Sequence, residues 1–238
     1  MTAGNQSRQR ESFNQLVADG VYEADFDHPP KAQAFVAQIL ADHLMPGLAG
    51  TGATYLDAGC GTGAWLAYVQ SVTAQQGIAP RFMGFDLSDG MVDLARNRLG
   101  AFAEGADLRT GDASDPAAYT FPGTETGIDR IFAYDLVQQL PVSQQFSVCE
   151  IIAKRLAPGG VAAIFDHDKD SDYGRTMGRK KFLTQFFFLP LVPRYYCNAK
   201  YPPLAKFAEK IAAQDGMSAE IVPDANGKKR ALILRRAG

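Results

Sequence analysis

The sequence predicts a doubly wound α/β fold, a mainly parallel Rossmann-like sheet with helices on both faces and an antiparallel hairpin near the C-terminus. Three observations predict it. Between Thr54 and Phe165, short apolar runs alternate with stretches of helical period, and such alternation implies parallel strands joined by right-handed crossovers. A glycine-rich turn, Asp57-Ala58-Gly59-Cys60-Gly61-Thr62-Gly63, joins the first apolar run to the first helical one. Farther on, two β-prone runs flank Asp224-Ala225-Asn226-Gly227, and Asn-Gly is a strong hairpin signal.

The elements follow in order. Ala32, Phe35, Val36, Ile39 and Leu40 recur at helical spacing and predict a helix opened by Pro29-Pro30 and closed near Pro46-Gly47, with His43 extending its apolar face. Strand Thr54 to Ala58 leads to helix Thr62 to Val72, strand Arg81 to Phe85, helix Gly90 to Leu99 and strand Asp107 to Thr110. Strand Arg130 to Ala133, helix Ser143 to Leu156 and strand Val161 to Phe165 complete the alternation. A helix over Leu204 to Ala213 precedes the hairpin strands Ser218 to Val222 and Arg230 to Arg235.

At 238 residues one large domain over 1–238 is expected, since α/β units often run past 200 residues as one piece. It carries an N-terminal helical cap over about residues 10–46 and a lid-like insertion over about residues 168–200. A 46% hydrophobic and 21% charged composition can bury a full core. The formal net charge of -2 argues against nucleic acid as a general partner, because phosphate-gripping domains are usually basic. Cys60, Cys149 and Cys197 are dispersed and form no C-x-x-C pair, so the reading is a reducing, cytoplasmic setting with no zinc site. The first dozen residues lack an apolar signal core, and no segment reaches the ~18 apolar residues of a membrane span.

The glycine turn admits two readings. Gly59, Gly61 and Ala64 satisfy the dinucleotide fingerprint, which would make this a nicotinamide or flavin enzyme. Asp57 argues otherwise, since a carboxylate beside a pyrophosphate is repelled, whereas a ligand with an ammonium group gains from it. The methionine half of S-adenosylmethionine is such a ligand. Asp57-Ala58-Gly59-Cys60-Gly61-Thr62-Gly63 after a strand resembles motif I of the class I S-adenosylmethionine-dependent methyltransferases.

Four further segments, in order, extend the resemblance over about Thr54 to Asp166. Asp86 ends the second predicted strand, where a carboxylate can accept from both ribose hydroxyls, and Leu87-Ser88-Asp89-Gly90-Met91 is similar to the family segment in which Leu87 and Met91 would line the adenine. Ser88 is also a natural cap for the helix after it. Gly111-Asp112-Ala113 resembles the family's adenine-contacting turn. Arg130 to Pro141, including Tyr134, fits the fourth strand and the loop beside the methyl group. Leu156-Ala157-Pro158-Gly159-Gly160 resembles the turn into the fifth strand. The resemblance implies a seven-stranded sheet with an antiparallel seventh strand, S-adenosylmethionine as cofactor with S-adenosylhomocysteine as product, and Asp57, Gly59, Gly61, Gly63, Asp86, Leu87, Met91, Asp112, Ala113 and Tyr134 as its binding residues. Relatives often carry a His pair where this chain has Gln138-Gln139, so no histidine role transfers there.

His167 is the candidate catalytic residue, because Ile164-Phe165-Asp166-His167-Asp168 places it at a strand tip where open α/β sheets bind ligands. The competing role is a structural His satisfied by Asp166 or Asp168. His28 is a loop residue that could overlie the pocket. The insertion holds Phe182, Phe186, Phe187, Phe188, Tyr195 and Tyr196 with Lys169, Arg175, Arg179, Lys180, Lys181, Arg194 and Lys200, which suits a lid over an aromatic or apolar small molecule bearing an acidic group; core packing or a homodimer interface is the competing use. The leading function is methyl transfer to an N or O atom of such a molecule. The alternatives are an RNA or other macromolecule methyltransferase, an NAD-dependent oxidoreductase, or a non-catalytic relative that keeps the pocket.

Overall fold

The structure, a computed structural model, describes residues 3–19, 33–192 and 198–238; His28, Pro29, Pro30, Ala32, Arg194, Tyr195, Tyr196 and Cys197 lie outside the described residues. Two helices precede the sheet, α1 (Ala3–Ala18) and α2 (Gln33–Ile39). Helix α2 runs on through a π turn at Leu40–Leu44 and a 3-10 turn at Met45–Gly47. Pro46 has no N–H to donate one turn back, so the ladder ends there, as the sequence predicts. The predicted helical cap over about residues 10–46 takes in only the second half of α1, whose first turns carry no apolar stripe in the sequence.

Seven strands form one sheet: β1 (Thr54–Ala58), β2 (Arg81–Asp86), β3 (Asp107–Thr110), β4 (Ile128–Tyr134), β5 (Leu156–Asp166), β6 (Met217–Pro223) and β7 (Arg230–Arg236). Their order is β3-β2-β1-β4-β5-β7-β6. The first five are parallel, and β7 runs antiparallel between β5 and β6. Between them lie α3 (Ala64–Gln75), α4 (Asp89–Leu99), α5 (Val142–Arg155), α6 (Asp172–Phe186) and α7 (Leu204–Ala212). This is the doubly wound, Rossmann-like sheet with an antiparallel end that the sequence predicts.

Alternation along the strands divides the core between the two faces. Leu56, Phe85, Ile131, Ile164 and Leu232 pack with Val148 and Ile152 of α5 and Leu204 and Ile211 of α7. Tyr55, Phe82, Phe132, Phe165 and Ile233 pack on the other face with Val36 of α2, Val69 of α3 and Ala95 of α4. Phe132 is central to the second core, with Phe165 at 5.3 Å and Trp65 at 6.0 Å between ring centroids.

Strand β5 begins at Leu156 rather than at the predicted Val161. Pro158-Gly159-Gly160 does not interrupt it; a register shift against β4 between Ile128 and Arg130 absorbs the extra residues as a bulge. The insertion also differs from a loop, since α6 occupies much of it.

Candidate cofactor and acceptor site

Strand β1 pairs with both β2 and β4, so the chain order reverses between β1 and β4 and a crevice opens beyond their C-terminal ends. The turn after β1 forms one wall. Gly59 and Cys60 donate from backbone nitrogen to the Phe85 carbonyl at 2.8 and 2.9 Å, which fastens the turn to β2. Gly63 caps α3 with φ +75°, a left-handed conformation that costs other residues energy. A Cβ there would meet Ala95 Cβ at 2.9 Å and Ala95 Cα at 3.1 Å, so this glycine also lets α3 pack on α4. Gly63→Ala should therefore cost ~2–4 kcal/mol from backbone strain and overpacking. An unchanged urea midpoint would contradict that packing role.

Asp57 is 1% exposed, and its Oδ1 has no hydrogen-bond partner. Burial, and then the charge of Asp86, push its carboxyl up to about 8. Such a buried, unmet acceptor suits a cation brought in by a ligand. It is not a turn cap in disguise at that oxygen. Asp86 Oδ2 accepts from Gly61 N at 3.0 Å and Oδ1 from Ser88 N at 2.9 Å. Burial raises Asp86 too, opposed by those backbone donors. Each of its oxygens keeps a second lone pair, so accepting from a diol remains open to it.

The adenine-side candidates follow from β2 and β3. Ser88 caps α4 by accepting from Met91 N at 3.1 Å; Met91 is buried, and Leu87 is half-buried. Gly111 N donates to the Asp86 carbonyl at 2.8 Å, tying the tip of β3 to that of β2. Asp112 Oδ1 accepts from Ser114 N and Ser114 Oγ at 2.8 and 2.9 Å, and the buried Ala113 accepts from the Tyr119 hydroxyl at 3.2 Å. These contacts set Asp57, Asp86 and Asp112 on three successive strand tips.

Helix α1 crosses this region. Arg10 Nε donates to the Leu87 carbonyl at 3.0 Å, Asn14 Nδ2 to Asp89 Oδ1 at 2.8 Å, and Gln9 Nε2 to the Gln139 carbonyl at 3.1 Å. One helix thus links the β2 side of the crevice to the loop after β4. No periodicity in the sequence marks these three polar residues.

Beyond β4 and β5 lies a second cluster. His167 Nδ1 is 2.7 Å from the Lys228 carbonyl; since a carbonyl only accepts, Nδ1 carries the proton and a neutral ring leaves its lone pair on Nε2. Burial, and then the charge of Lys229, lower the imidazole to about 4. Tyr173 and Tyr201 flank the ring, with centroids 5.0 and 4.9 Å away. The neighbouring carboxylates do not satisfy His167. Asp166 accepts from Val137 N and Gln138 N, both at 3.1 Å, while Asp168 pairs with Arg230 at 2.8 Å.

Asp135 and Lys229 are functional candidates that sequence reasoning missed. Asp135 adopts φ +54°, a left-handed conformation that strains a non-glycine residue by ~1–3 kcal/mol and recurs at functional sites. Its Oδ1 accepts from Gln138 Nε2 at 2.7 Å and from Lys229 Nζ in a short ion pair. Lys229 Nζ also lies 4.4 Å over the Tyr134 ring. Tyr134 otherwise packs on Trp65 at 5.5 Å, so its ring belongs to the aromatic core as well as to the rim. Burial, and then Asp135, raise the Asp166 carboxyl well above its usual range, with Lys229 opposing.

The remaining candidates stand apart. His43 Nδ1 faces Arg235 Nη2 at 2.9 Å, near the Val161 end of β5 and away from the crevice. Burial pushes the thiols of Cys60 and Cys149 up, which disfavours a thiolate nucleophile. Among the described residues no group of His, Cys, Asp and Glu has the arrangement of a metal site, and no helix is long and apolar enough to cross a membrane.

Residues 56–160 match a family described as a methyltransferase domain. Among solved structures, the chain is similar to an O-methyltransferase family protein from Burkholderia thailandensis, at 17% identity and TM-score 0.63, over 98% of this chain and 60% of that one. It is also similar to DhpI, solved as a complex with SAH, at 18% identity and TM-score 0.64, over 100% and 99% of the two chains. A third is the magnesium protoporphyrin IX methyltransferase of Synechocystis PCC 6803 with bound SAH, at 20% identity and TM-score 0.58, over 89% and 84%. The chain thus spans 60% of the length of the first of these. No curated protein matches it.

Proposed function

We propose that the chain is a class I S-adenosylmethionine-dependent methyltransferase, a reading supported by the methyltransferase-domain match over residues 56–160, and the acceptor and residue roles follow from it. The observation that carries the cofactor assignment to particular residues is the buried, unpartnered Asp57 Oδ1. Asp57 holds the cofactor's ammonium, the turn Gly59 to Gly63 lies along its methionine half, Asp86 takes the ribose, and Leu87, Met91, Asp112 and Ala113 surround the adenine. When bound, S-adenosylmethionine supplies a methyl group activated by its sulfonium charge. Tyr134 and Asp135 stand at the rim where the acceptor meets that group.

The acceptor is a small aromatic or apolar molecule methylated at oxygen or nitrogen, and the surroundings of His167 favour an acidic hydroxyl. Tyr173 and Tyr201 offer ring faces beside it. Lys229 and Lys181 both lower the imidazole through their charge, and the same positive potential stabilises an oxyanion on the acceptor. His167 Nε2 receives the hydroxyl proton while the Lys228 carbonyl fixes the ring, and the chain's other task is to hold acceptor oxygen and methyl in line and dry. In this reading the second half of α1 and all of α2 fall in the N-terminal cap of about residues 10–46 and α6 in the lid-like insertion of about residues 168–200.

Calorimetry should show binding of S-adenosylhomocysteine and none of NAD. Product mass spectrometry on matched phenols and arylamines should then find the phenols methylated faster. Binding of NAD alone would end the cofactor assignment; preference for the amines would end the hydroxyl assignment and leave the cofactor intact.

A further inference from the structure

Helix α6 is built inside out. Its inward face carries Gly174, Lys181 and Thr184, all buried; Lys181 Nζ donates to the Ala199 carbonyl at 3.0 Å and lies 3.6 Å over the Tyr201 ring. Its outward face and the chain just after it carry Phe182, Phe186, Phe187, Phe188, Leu189 and Leu191, of which Phe186 is 71% and Phe188 78% exposed. The rings of Phe182 and Phe186 stack on each other at 4.8 Å on the solvent side. Monomeric soluble surfaces rarely gather so many large apolar side chains in one place without a partner for them.

Charge identifies the partner. Arg175, Arg179 and Lys180 are exposed on the same helix, and the sequence has no acidic residue from Tyr173 to Ala208, although the whole chain is net acidic. Arg175 is engaged with Asp172 at the start of the helix; Arg179 and Lys180 lie a turn nearer the phenylalanines. A second copy docked on this face about a twofold axis would bring like charges together. An anionic bilayer surface meets both features at once, taking the aromatic rings at the headgroup boundary and the cations against its phosphates.

We infer that the outer face of α6 and the segment through Leu191 form a docking surface for an anionic phospholipid membrane. The inference does not rest on the acceptor proposed above. It also fixes the orientation of the molecule, with α6 between the bilayer and the cluster around His167, to which Tyr173 and Lys181 of the same helix belong.

Co-sedimentation tests it, using vesicles of pure phosphatidylcholine and of an equimolar mixture of phosphatidylglycerol and phosphatidylcholine. The protein should pellet with the anionic vesicles, less so as salt rises. Arg179→Ala with Lys180→Ala should weaken partitioning by ~30-fold at low salt, and Phe186→Ser with Phe187→Ser by at least ~10-fold. Both pairs should keep the wild-type unfolding midpoint and S-adenosylhomocysteine affinity, which separates loss of docking from loss of fold. Failure to pellet with anionic vesicles overturns the inference. So does a dimer in sedimentation velocity that the phenylalanine pair abolishes while vesicles remain unbound, or salt-sensitive RNA binding without vesicle binding.

Discussion

Asp57→Asn should weaken S-adenosylhomocysteine binding by ~10- to 100-fold, the range for losing one charged hydrogen bond, and at the same time stabilise the unliganded protein at pH 8. Both effects come from one carboxyl. Its folded value of about 8 stands above the ordinary 3.8, so between those pH values the folded protein keeps a proton that the unfolded chain has released. Stability therefore falls as pH rises through that window, by up to ~1.4 kcal/mol per unit, and levels off above it. Asn carries no such proton, so its slope should be flatter and its thermal midpoint at pH 8 higher. Ligand binding shows the converse dependence. An ammonium needs the ionised carboxylate, so below pH 8 binding must release a proton, and affinity should rise by up to ~10-fold per pH unit toward 8. Calorimetry in buffers of different ionisation enthalpy measures that proton. An Asn variant with native affinity, or binding without proton release, would remove Asp57 from the site.

His167→Ala should lower turnover by at least ~100-fold, the usual contribution of a positioned base, with S-adenosylhomocysteine affinity unchanged. Because burial and Lys229 lower the ring to about 4, it stays neutral through the physiological range, and its limb of the turnover profile should appear only as pH drops toward 4. The stability sign is opposite to that of Asp57. The unfolded chain takes up the His167 proton near the ordinary imidazole value of 6.5, so this residue's contribution is kept above 6.5 and lost as pH falls through 4. Near-native turnover in the variant would remove the assignment of His167 as the base. A parallel loss of cofactor affinity would make the residue structural.

The sequence made the sheet legible for a physical reason. Strands buried on both faces are mostly apolar, so β1 and β2 stood out with bounds within a residue of those observed, whereas β3 buries only Leu108 and stood out as the next short run in the alternation. The glycine turn was legible because Gly63 has no tolerable substitute beside Ala95. Other features leave no local trace. Helix α1 is held by side chains reaching carbonyls and a carboxylate elsewhere in the fold, so it needs no apolar stripe. Helix α6 reads as a loop because its apolar side faces out. Lys229 meets Asp135 across 94 positions, and two ordinary charged residues at that distance announce nothing. Likewise Asp57 was recognisable as a carboxylate beside glycines, but only the fold shows an oxygen left without a donor.

Strand β7 lies between β5 and β6 although it follows both in sequence. During synthesis, then, every earlier strand has emerged while β5 still bears a bare edge along Val161 to Asp166, the stretch that β7 will later cover. That edge is rich in Ala, Ile and Phe, a ready template for pairing with a neighbouring nascent chain. The ribosome must deliver residues 230–236 before the sheet can close, so a stalled or prematurely stopped translation product should be a client of chaperones and prone to inclusion bodies.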